Sequence, residues 1–172
     1  MTDTTTPVDA KRLRRTMGRF ATGVAVVTTN LDGEMHGMTV NSLTSVSLDP
    51  PMLLVCLNRG ARTEQCIESS GHFAVNVLGA RQETVSNTFA KQGEDHFDGV
   101  DLPMHASGVP LIPGSLAQIV CAVNRVVEAG DHVVVFGAIE DVTEREGAPL
   151  VFFGGTYGDY VGRGHTADFW YC

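Results

Sequence analysis

The residue types best suited to holding a ligand are concentrated in one short polar segment, residues 37–47. Six of its eleven residues carry a hydroxyl or a carboxamide, namely Thr39, Asn41, Ser42, Thr44, Ser45 and Ser47. A planar heteroaromatic ligand needs such groups, because its edge carbonyls and ring nitrogens require hydrogen-bond partners while its faces stay apolar. A solvent-facing strand rich in Thr and Ser would have the same composition, so the residues alone leave both interpretations open.

A second candidate site is the segment from Asn58 to Thr63, which precedes a predicted helix and contains two arginines and a glycine. Unpaired backbone N–H groups and the helix dipole favour an anion at the start of a helix. The guanidinium groups of Arg59 and Arg62 can add bidentate contacts to phosphate oxygens. The segment therefore predicts a site for a phosphorylated ligand, although an ordinary surface loop could have the same sequence.

Two further segments contain glycine beside a residue that could contact a ligand. His132 follows Gly130 and Asp131 at the start of an apolar strand, where alternation places it on the face opposite Val133. A histidine there either contacts a ligand or packs as an ordinary side chain. Residues 154–158, Gly-Gly-Thr-Tyr-Gly, would let the backbone approach a flat ligand or would simply form a turn.

Several other chemistries are not favoured by the sequence. It has no GxSxG motif and no HExxH motif, so a serine hydrolase and a protein-built zinc site are poor interpretations. The basic cluster of Lys11, Arg12, Arg14 and Arg15 is either a patch for phosphate or a partner, or, as the simpler interpretation, a solvated helix face.

Composition limits the classes of partner. The chain has 172 residues, with 12 basic and 20 acidic side chains and a formal charge of −8. This balance argues against nucleic acid and against an anionic membrane surface as partners. No apolar run approaches the roughly 18 residues that predict a membrane span. No signal peptide is visible and the four cysteines form no framework, so we expect a cytoplasmic protein.

The elements that must position these residues are mostly short strands separated by turns. We predict helices over residues 9–20, 63–70 and 81–91, strands over 24–29, 36–46, 52–57, 73–78, 116–127, 131–143 and 150–153, and a loop over 92–113. Few helices and many short strands favour a mainly β fold, a closed or half-closed antiparallel barrel with a few flanking helices.

This pattern predicts one domain over residues 9–160, between a polar tail of residues 1–8 and a C-terminal tail of residues 161–172. The string Gly162-x-Gly164-x-x-Ala167 matches a dinucleotide fingerprint by its letters alone. It lies too close to the C-terminus for a βαβ unit to follow it, so we assign it to the tail.

Several motifs occur in the order typical of one family. They are Phe20-Ala-Thr-Gly-Val-Ala-Val-Val-Thr-Thr29, Gly37-Met-Thr-x-Asn-Ser-x-Thr-Ser-Val-Ser-Leu-Asp-Pro-Pro51, Leu57-Asn-Arg-x-x-Arg-Thr63, Phe73-Ala-Val-Asn-Val-Leu78, Phe89-Ala90, Gly130-Asp-His132 and Gly155-x-Tyr157. Together they resemble the flavin reductase-like family, the short-chain NAD(P)H:flavin oxidoreductases that serve two-component monooxygenases. The resemblance covers roughly residues 12–160.

The resemblance implies a split β-barrel, the FMN-binding type, that works as a homodimer. It also implies transfer of a hydride from NADH or NADPH to FMN or FAD, and release of the reduced flavin to a separate monooxygenase. In this interpretation no acid or base on the protein is needed for the hydride step, and the protein supplies position and electrostatics. The sequence does not choose between FMN and FAD.

Roles for individual residues are implied by the same resemblance. Thr39, Val40, Asn41 and Ser42 would line the isoalloxazine edge, and Thr44 and Ser45 would add polar contacts to the ring or the ribityl chain. Asn58, Arg59, Arg62 and Thr63 would hold the flavin phosphate, with Phe89 and Lys91 beside it. His132, the one catalytic candidate, and Tyr157 would face the nicotinamide.

One departure from the family pattern affects the phosphate loop. Many relatives have Ser or Lys where this chain has Gly60 and Ala61, so the loop would depend on backbone N–H groups and arginine. Two other functions remain open on the same barrel: a non-enzymatic flavin or haem-breakdown binding module, and an oxidase of the pyridoxamine-phosphate type that retains its flavin.

Overall fold

The computed structural model describes residues 8–91, 96–97 and 101–162. Within these residues the chain forms three helices, α1 (Ala10–Met17), α2 (Arg62–Ser70) and α3 (Glu83–Phe89). The strands are β1 (Thr22–Gly23), β2 (Ala25–Leu31), β3 (Glu34–Val40), β4 (Thr44–Leu48), β5 (Pro51–Asn58), β6 (His72–Val77), β7 (Ala117–Ala129), β8 (His132–Glu144), β9 (Val151–Phe153) and β10 (Thr156–Gly158). None of the described helices is long and apolar enough to cross a membrane.

Seven strands form one antiparallel sheet in the order β3-β2-β6-β7-β8-β5-β4. The sheet curls around a core to which strands from both ends of this order contribute, including Val27 of β2, Phe73 of β6 and Val55 of β5, all fully buried. The alternation in β5 and β8 that sends Val55 and Val135 inward follows from the two-residue period of a strand. The mainly β split barrel expected from the sequence is confirmed.

Strand β2 is buried on both faces because a second core covers its outer side. Val26 packs there with Leu78, Phe89 and Phe97, and Gly37 lies beneath the two phenylalanine rings. A methyl group on Gly37 would come within 2.9 Å of the Phe89 ring, so the glycine allows this close packing. A small sheet, in the order β1-β9-β10, adjoins this second core through Phe152 and Tyr157.

Two predicted elements differ from the structure at places that matter for the site. The single strand predicted over residues 36–46 is two strands, since the chain leaves β3 after Val40 and starts β4 at Thr44. The helix predicted over residues 9–20 ends at Met17 and has no buried residue. Leu13, Met17 and Phe20, whose spacing is helical, are all exposed within this chain.

The remaining elements lie where we predicted them, within a few residues at their ends. The prediction missed β1 and β10, because two or three residues are too few to show alternation. In the predicted loop, the described residues 101–113 contain no strand, only an isolated bridge between Met104 and Pro110. Most of both predicted tails, and the string from Gly164 to Ala167, lie outside the described residues.

Candidate functional site

A groove of about 1070 Å³ lies between α1, the polar segment and the turn after β9. Its walls come from residues 14–25, residues 40–44 and Gly154 and Gly155, and we call it the α1 groove. Its lining is mostly apolar, with Met17, Phe20 and Phe152 among its members. An open, largely apolar groove with a few polar groups suits a flat ligand.

Three of the predicted ring-edge residues, Val40, Asn41 and Ser42, line this groove together with Thr44, which was predicted to contact the ring or the ribityl chain. They converge there because the chain leaves the barrel between β3 and β4. The Ser42 hydroxyl fixes this break, since it donates to the Cys56 carbonyl and accepts from the Cys56 N–H, both at 2.9 Å. Asn41 and Thr44 are exposed, and no hydrogen bond within the described residues engages either side chain.

Thr39 and Ser45, two other predicted flavin contacts, are not among the residues that line the α1 groove. The Thr39 hydroxyl donates to the Ser86 carbonyl at 2.7 Å and so joins β3 to α3. Ser45 is exposed in β4 at a bulge, where the pairing with β5 shifts register between Ser45 and Ser47. A bulge redirects side chains at the edge of a sheet, so the predicted strand alternation does not hold through this segment.

Ser86 connects two of the predicted site residues, Thr39 and Tyr157, and no sequence pattern indicated this role. Its hydroxyl lies 2.8 Å from the Tyr157 hydroxyl, while its carbonyl accepts from Thr39. The Tyr157 hydroxyl also donates to Asn87 Oδ1 at 3.2 Å. Because Ser86 is fully buried, this connection holds the predicted nicotinamide-side tyrosine against α3.

Phe89 and Lys91 lie at and just after the end of α3. Phe89 is buried in the second core, edge-on to Phe97 at 5.1 Å between ring centroids. Phe89, which was predicted to lie beside the flavin phosphate, therefore packs as a core residue. Lys91 is exposed, and its carbonyl contacts His96 Nε2 at 3.0 Å.

A second group of predicted residues meets where β5 ends and β8 begins. Asn58 and His132 are direct partners in the ladder between these strands. The Arg59 N–H donates to the Asp131 carbonyl at 3.1 Å and ties the loop after β5 to the β7–β8 turn. Gly130, with φ of +66°, supplies the left-handed conformation that this tight turn requires.

His132 lies on the outer face of β8, as alternation predicted, because Val133 and Val135 occupy the core. Its side chain is 43% exposed, and Nδ1 lies 2.8 Å from Asp131 Oδ1. This hydrogen bond, followed by the attraction to the imidazole, lowers the pKa of Asp131. The carboxylate thus orients the ring and leaves Nε2 on its far side.

The predicted phosphate loop has acidic neighbours that the sequence did not reveal. Arg59 contacts Glu128 at 3.1 Å, and Arg62 contacts Glu34 at 3.8 Å. Both pairs are well exposed, so each is weak and can exchange for another anion. Glu64 is buried, and its carboxylate accepts from the Gly60 N–H at 2.8 Å, which removes that donor from any phosphate.

The start of α2 keeps part of its predicted capacity for an anion. No side chain caps the helix at Ala61, so donors of its first turn stay available. Thr63 is buried, which limits its hydroxyl to contacts made close to the backbone. The spacing Gly60-x-x-x-Glu64 could have signalled the internal pairing, because a carboxylate one helical turn after a loop glycine can reach its N–H.

The α1 groove also contains three arginines that were not among the predicted site residues. Arg14, Arg15 and Arg19 line it, whereas none of the described lining residues is acidic. Arg14 and Arg15 belong to the basic cluster seen in the sequence, for which a solvated helix face was the simpler interpretation. Their position directly before residues 18–23, which line the same groove, could have indicated a role in binding.

The chain is similar in sequence to known proteins over most of its length. Residues 17–160 match the sequence model of the family described as flavin reductase like domain. The chain is 41% identical over 153 residues to the Mycobacterium tuberculosis protein named flavin-dependent monooxygenase, reductase subunit HsaB, covering 87% of this chain and 82% of that one. It is also 46% identical over 132 residues to a Rhizobium meliloti protein named "Probable flavin reductase", with 76% of this chain aligned to only 42% of that longer protein.

A solved structure has the same fold throughout. It is the Streptomyces globisporus NADH:FAD oxidoreductase SgcE6 in complex with NAD and FAD fragments, with a TM-score of 0.84 and 40% identity. The alignment covers 92% of this chain and 99% of that one.

Proposed function

Because this chain belongs to the flavin reductase-like domain family, we propose that it is an NADH:flavin oxidoreductase that reduces FMN or FAD. The reduced flavin passes to a separate monooxygenase, which is supported by the relative named as the reductase subunit of a flavin-dependent monooxygenase. The observation that carries this proposal is the junction of β3 and β4. There Asn41, Ser42 and Thr44 open into a groove large enough for a flat ligand.

These polar groups fit the edge of a flavin ring. The exposed Asn41 carboxamide offers both donors and an acceptor, and Thr44 offers a hydroxyl. Ser42 contributes one remaining acceptor lone pair, because its hydrogen and its other lone pair are engaged by Cys56. Thr39 and Ser45 border this region from β3 and β4, and Val40 supplies an apolar contact from the barrel wall.

The flavin phosphate is assigned to the loop from Asn58 to Thr63. Arg59 and Arg62 can each leave an exposed carboxylate for a phosphate. Lys91 and Phe89 border the same region in this assignment, Lys91 through its charge and Phe89 through packing that supports β3. Flavin supplies the chemistry of accepting a hydride, and this chain orients the reacting partners.

His132 and Tyr157 are assigned to the nicotinamide side. The carboxylate of Asp131 holds the His132 ring and leaves its outer nitrogen free to contact the carboxamide of a nicotinamide. No proton transfer by the protein is needed, so the demand on these residues is geometric. Donors near the pyrimidine edge of the ring would favour the reduced, more negative flavin.

We further propose that the protein works as a homodimer in the cytoplasm. Val46 and Leu48 are 43% and 80% exposed on β4, which is an edge strand of the seven-stranded sheet. A second subunit that covers this apolar surface would remove it from water. Cys56, Cys66 and Cys121 are free thiols, which a reducing compartment preserves. Light scattering should give twice the mass of the chain, whereas a fully active monomer at micromolar concentration would contradict the dimer.

The decisive experiment is NADH oxidation with and without added FMN, FAD or riboflavin. We expect turnover only when free flavin is supplied, with a modest preference for NADH over NADPH. No flavin-dependent oxidation near neutral pH would overturn the reductase. A protein that keeps its flavin without turnover would support a binding module, and one that oxidises another substrate with retained flavin would support an oxidase.

A further inference from the structure

The α1 groove concentrates positive charge in a chain whose net charge is −8. Arg14, Arg15 and Arg19 all line it. Within residues 8–91, 96–97 and 101–162, none of the three has a carboxylate oxygen within ion-pair distance. Arg59 and Arg62 of the proposed flavin-phosphate loop, in contrast, each contact a glutamate. Arg14 is close enough to Asp131 to help lower the pKa of that carboxyl, but no ion pair of the described residues occupies the three guanidinium groups, so they can bind an added anion.

Another part of the groove wall is made of bare backbone. Gly154 and Gly155 have φ of +62° and +92°, and a methyl group added to either would meet nothing within 4 Å. The Gly154 N–H donates to the Gly18 carbonyl at 2.9 Å and joins this turn to the end of α1. A bulky polar ligand can thus approach the turn closely while the arginines keep a fixed position relative to it.

Two anionic nucleotides must bind together if the proposed function is correct, and each needs its own cationic contacts. Asn41, Ser42 and Thr44 line the α1 groove, whereas Arg59 and Arg62 do not. Arg14, Arg15 and Arg19 therefore form a cationic cluster beside these polar residues, and this cluster is separate from Arg59 and Arg62. A flavin phosphate held by Arg59 and Arg62 would leave the groove arginines for the second nucleotide.

We infer that Arg14, Arg15 and Arg19 bind the diphosphate of the nicotinamide dinucleotide that donates the hydride. This inference rests on the proposed function and adds to it a binding site for the second substrate. The apolar lining from Met17, Phe20 and Phe152 suits the flat base and the sugar edges of such a ligand. An exposed arginine that contacts a phosphate contributes on the order of tenfold to affinity, about 1.4 kcal/mol.

The test compares hydride donors with and without phosphate. Arg15→Gln and Arg19→Gln, alone and combined, should raise KM for NADH by about tenfold each. They should leave KM for FMN unchanged. The rate with 1-benzyl-1,4-dihydronicotinamide, which has no phosphate, should also stay unchanged. Arg12→Gln is the matched control, because it removes the same charge from α1 at a position that does not line the groove.

Three results would overturn the inference. One is an unchanged KM for NADH in the double variant, and another is an equal rise in the Arg12→Gln control. The third is a rise in KM for FMN but not for riboflavin, which would assign the arginines to the flavin phosphate. Calorimetric titration with ADP separates this inference from the proposed function: ADP should bind the wild type and lose about tenfold or more in the double variant even if no flavin is reduced.

Discussion

Replacing Ser42 with alanine removes a hydroxyl that holds the β3–β4 junction against β5. In the wild type this hydroxyl exchanges two hydrogen bonds of 2.9 Å with the backbone of Cys56. Each is worth about 1 kcal/mol net, so the free energy of unfolding should fall by about 2 kcal/mol. For a chain of this size that corresponds to a melting temperature lower by about 4–8 °C.

The same substitution should have a smaller effect on flavin. Only one lone pair of the Ser42 oxygen remains for a ligand. We therefore expect KM for FMN to rise by about fivefold or less, which is the effect of losing one neutral hydrogen bond. Urea denaturation gives the stability, and steady-state NADH oxidation gives the flavin KM. Thr44→Ala is the matched comparison, because it removes a hydroxyl from the same groove where no hydrogen bond of the described residues depends on it.

The two variants should therefore differ in their stability. Ser42→Ala should lose stability and keep most flavin affinity, whereas Thr44→Ala should keep stability within about 0.5 kcal/mol. If Ser42→Ala unfolds at the same urea concentration as the wild type while its FMN affinity drops more than tenfold, the reasoning is refuted. The hydroxyl would then act on the ligand rather than on the junction.

Four other changes test the remaining contacts. Arg62→Ala should weaken FMN by roughly 1.5–3 kcal/mol and leave riboflavin nearly unaffected in fluorescence titrations; equal losses would make Arg62 structural. His132→Ala should lower kcat/KM for NADH by roughly tenfold to a hundredfold, and it should lower thermal stability no more than Asp131→Asn does, because it removes the same exposed hydrogen bond; unchanged NADH kinetics would end its assignment. Gly137→Ala would place a methyl group 2.6 Å from the Phe73 ring and should cost about 1–3 kcal/mol in urea denaturation; a neutral result would mean that the core yields. The lowered pKa of Asp131 stabilises the fold above the ordinary value of 3.8, and this contribution is lost as pH falls through the lowered value. Asp131→Asn should therefore be less stable than the wild type at neutral pH and equal to it in strong acid; a gap that persists in acid would contradict this cause.

The barrel was predictable because its strands carry their own pattern. In β5 and β8 buried and less buried residues alternate cleanly, as in Val133 and Val135 against His132. Turn residues such as Gly130 marked where strands end. The face on which His132 lies followed from the same period of two, so its position outside the core could be derived before any coordinates.

The contacts around the site could not be predicted in this way, because they join residues far apart in sequence. Nothing near Ser86 indicates that its hydroxyl meets Tyr157, 71 residues later. The pairing of Arg62 with Glu34 likewise depends on α2 packing beside β3. The break between β3 and β4 was missed because its polar residues continue a pattern that also suits one long strand.

The ladder that pairs Asn58 with His132 joins the proposed phosphate loop to the proposed nicotinamide-side histidine, so the two should move together. An insertion in the β7–β8 turn would move the histidine relative to its neighbour across the ladder, and the Arg59 to Asp131 hydrogen bond would transmit that shift to the loop after β5. The α1 groove is built from other segments and shares no strand with this ladder. Exchanging α1 with that of a relative would therefore change the groove directly and would reach this ladder through the charge of Arg14, which helps to lower the pKa of Asp131, whereas a change in the length of the β7–β8 turn would move His132 itself.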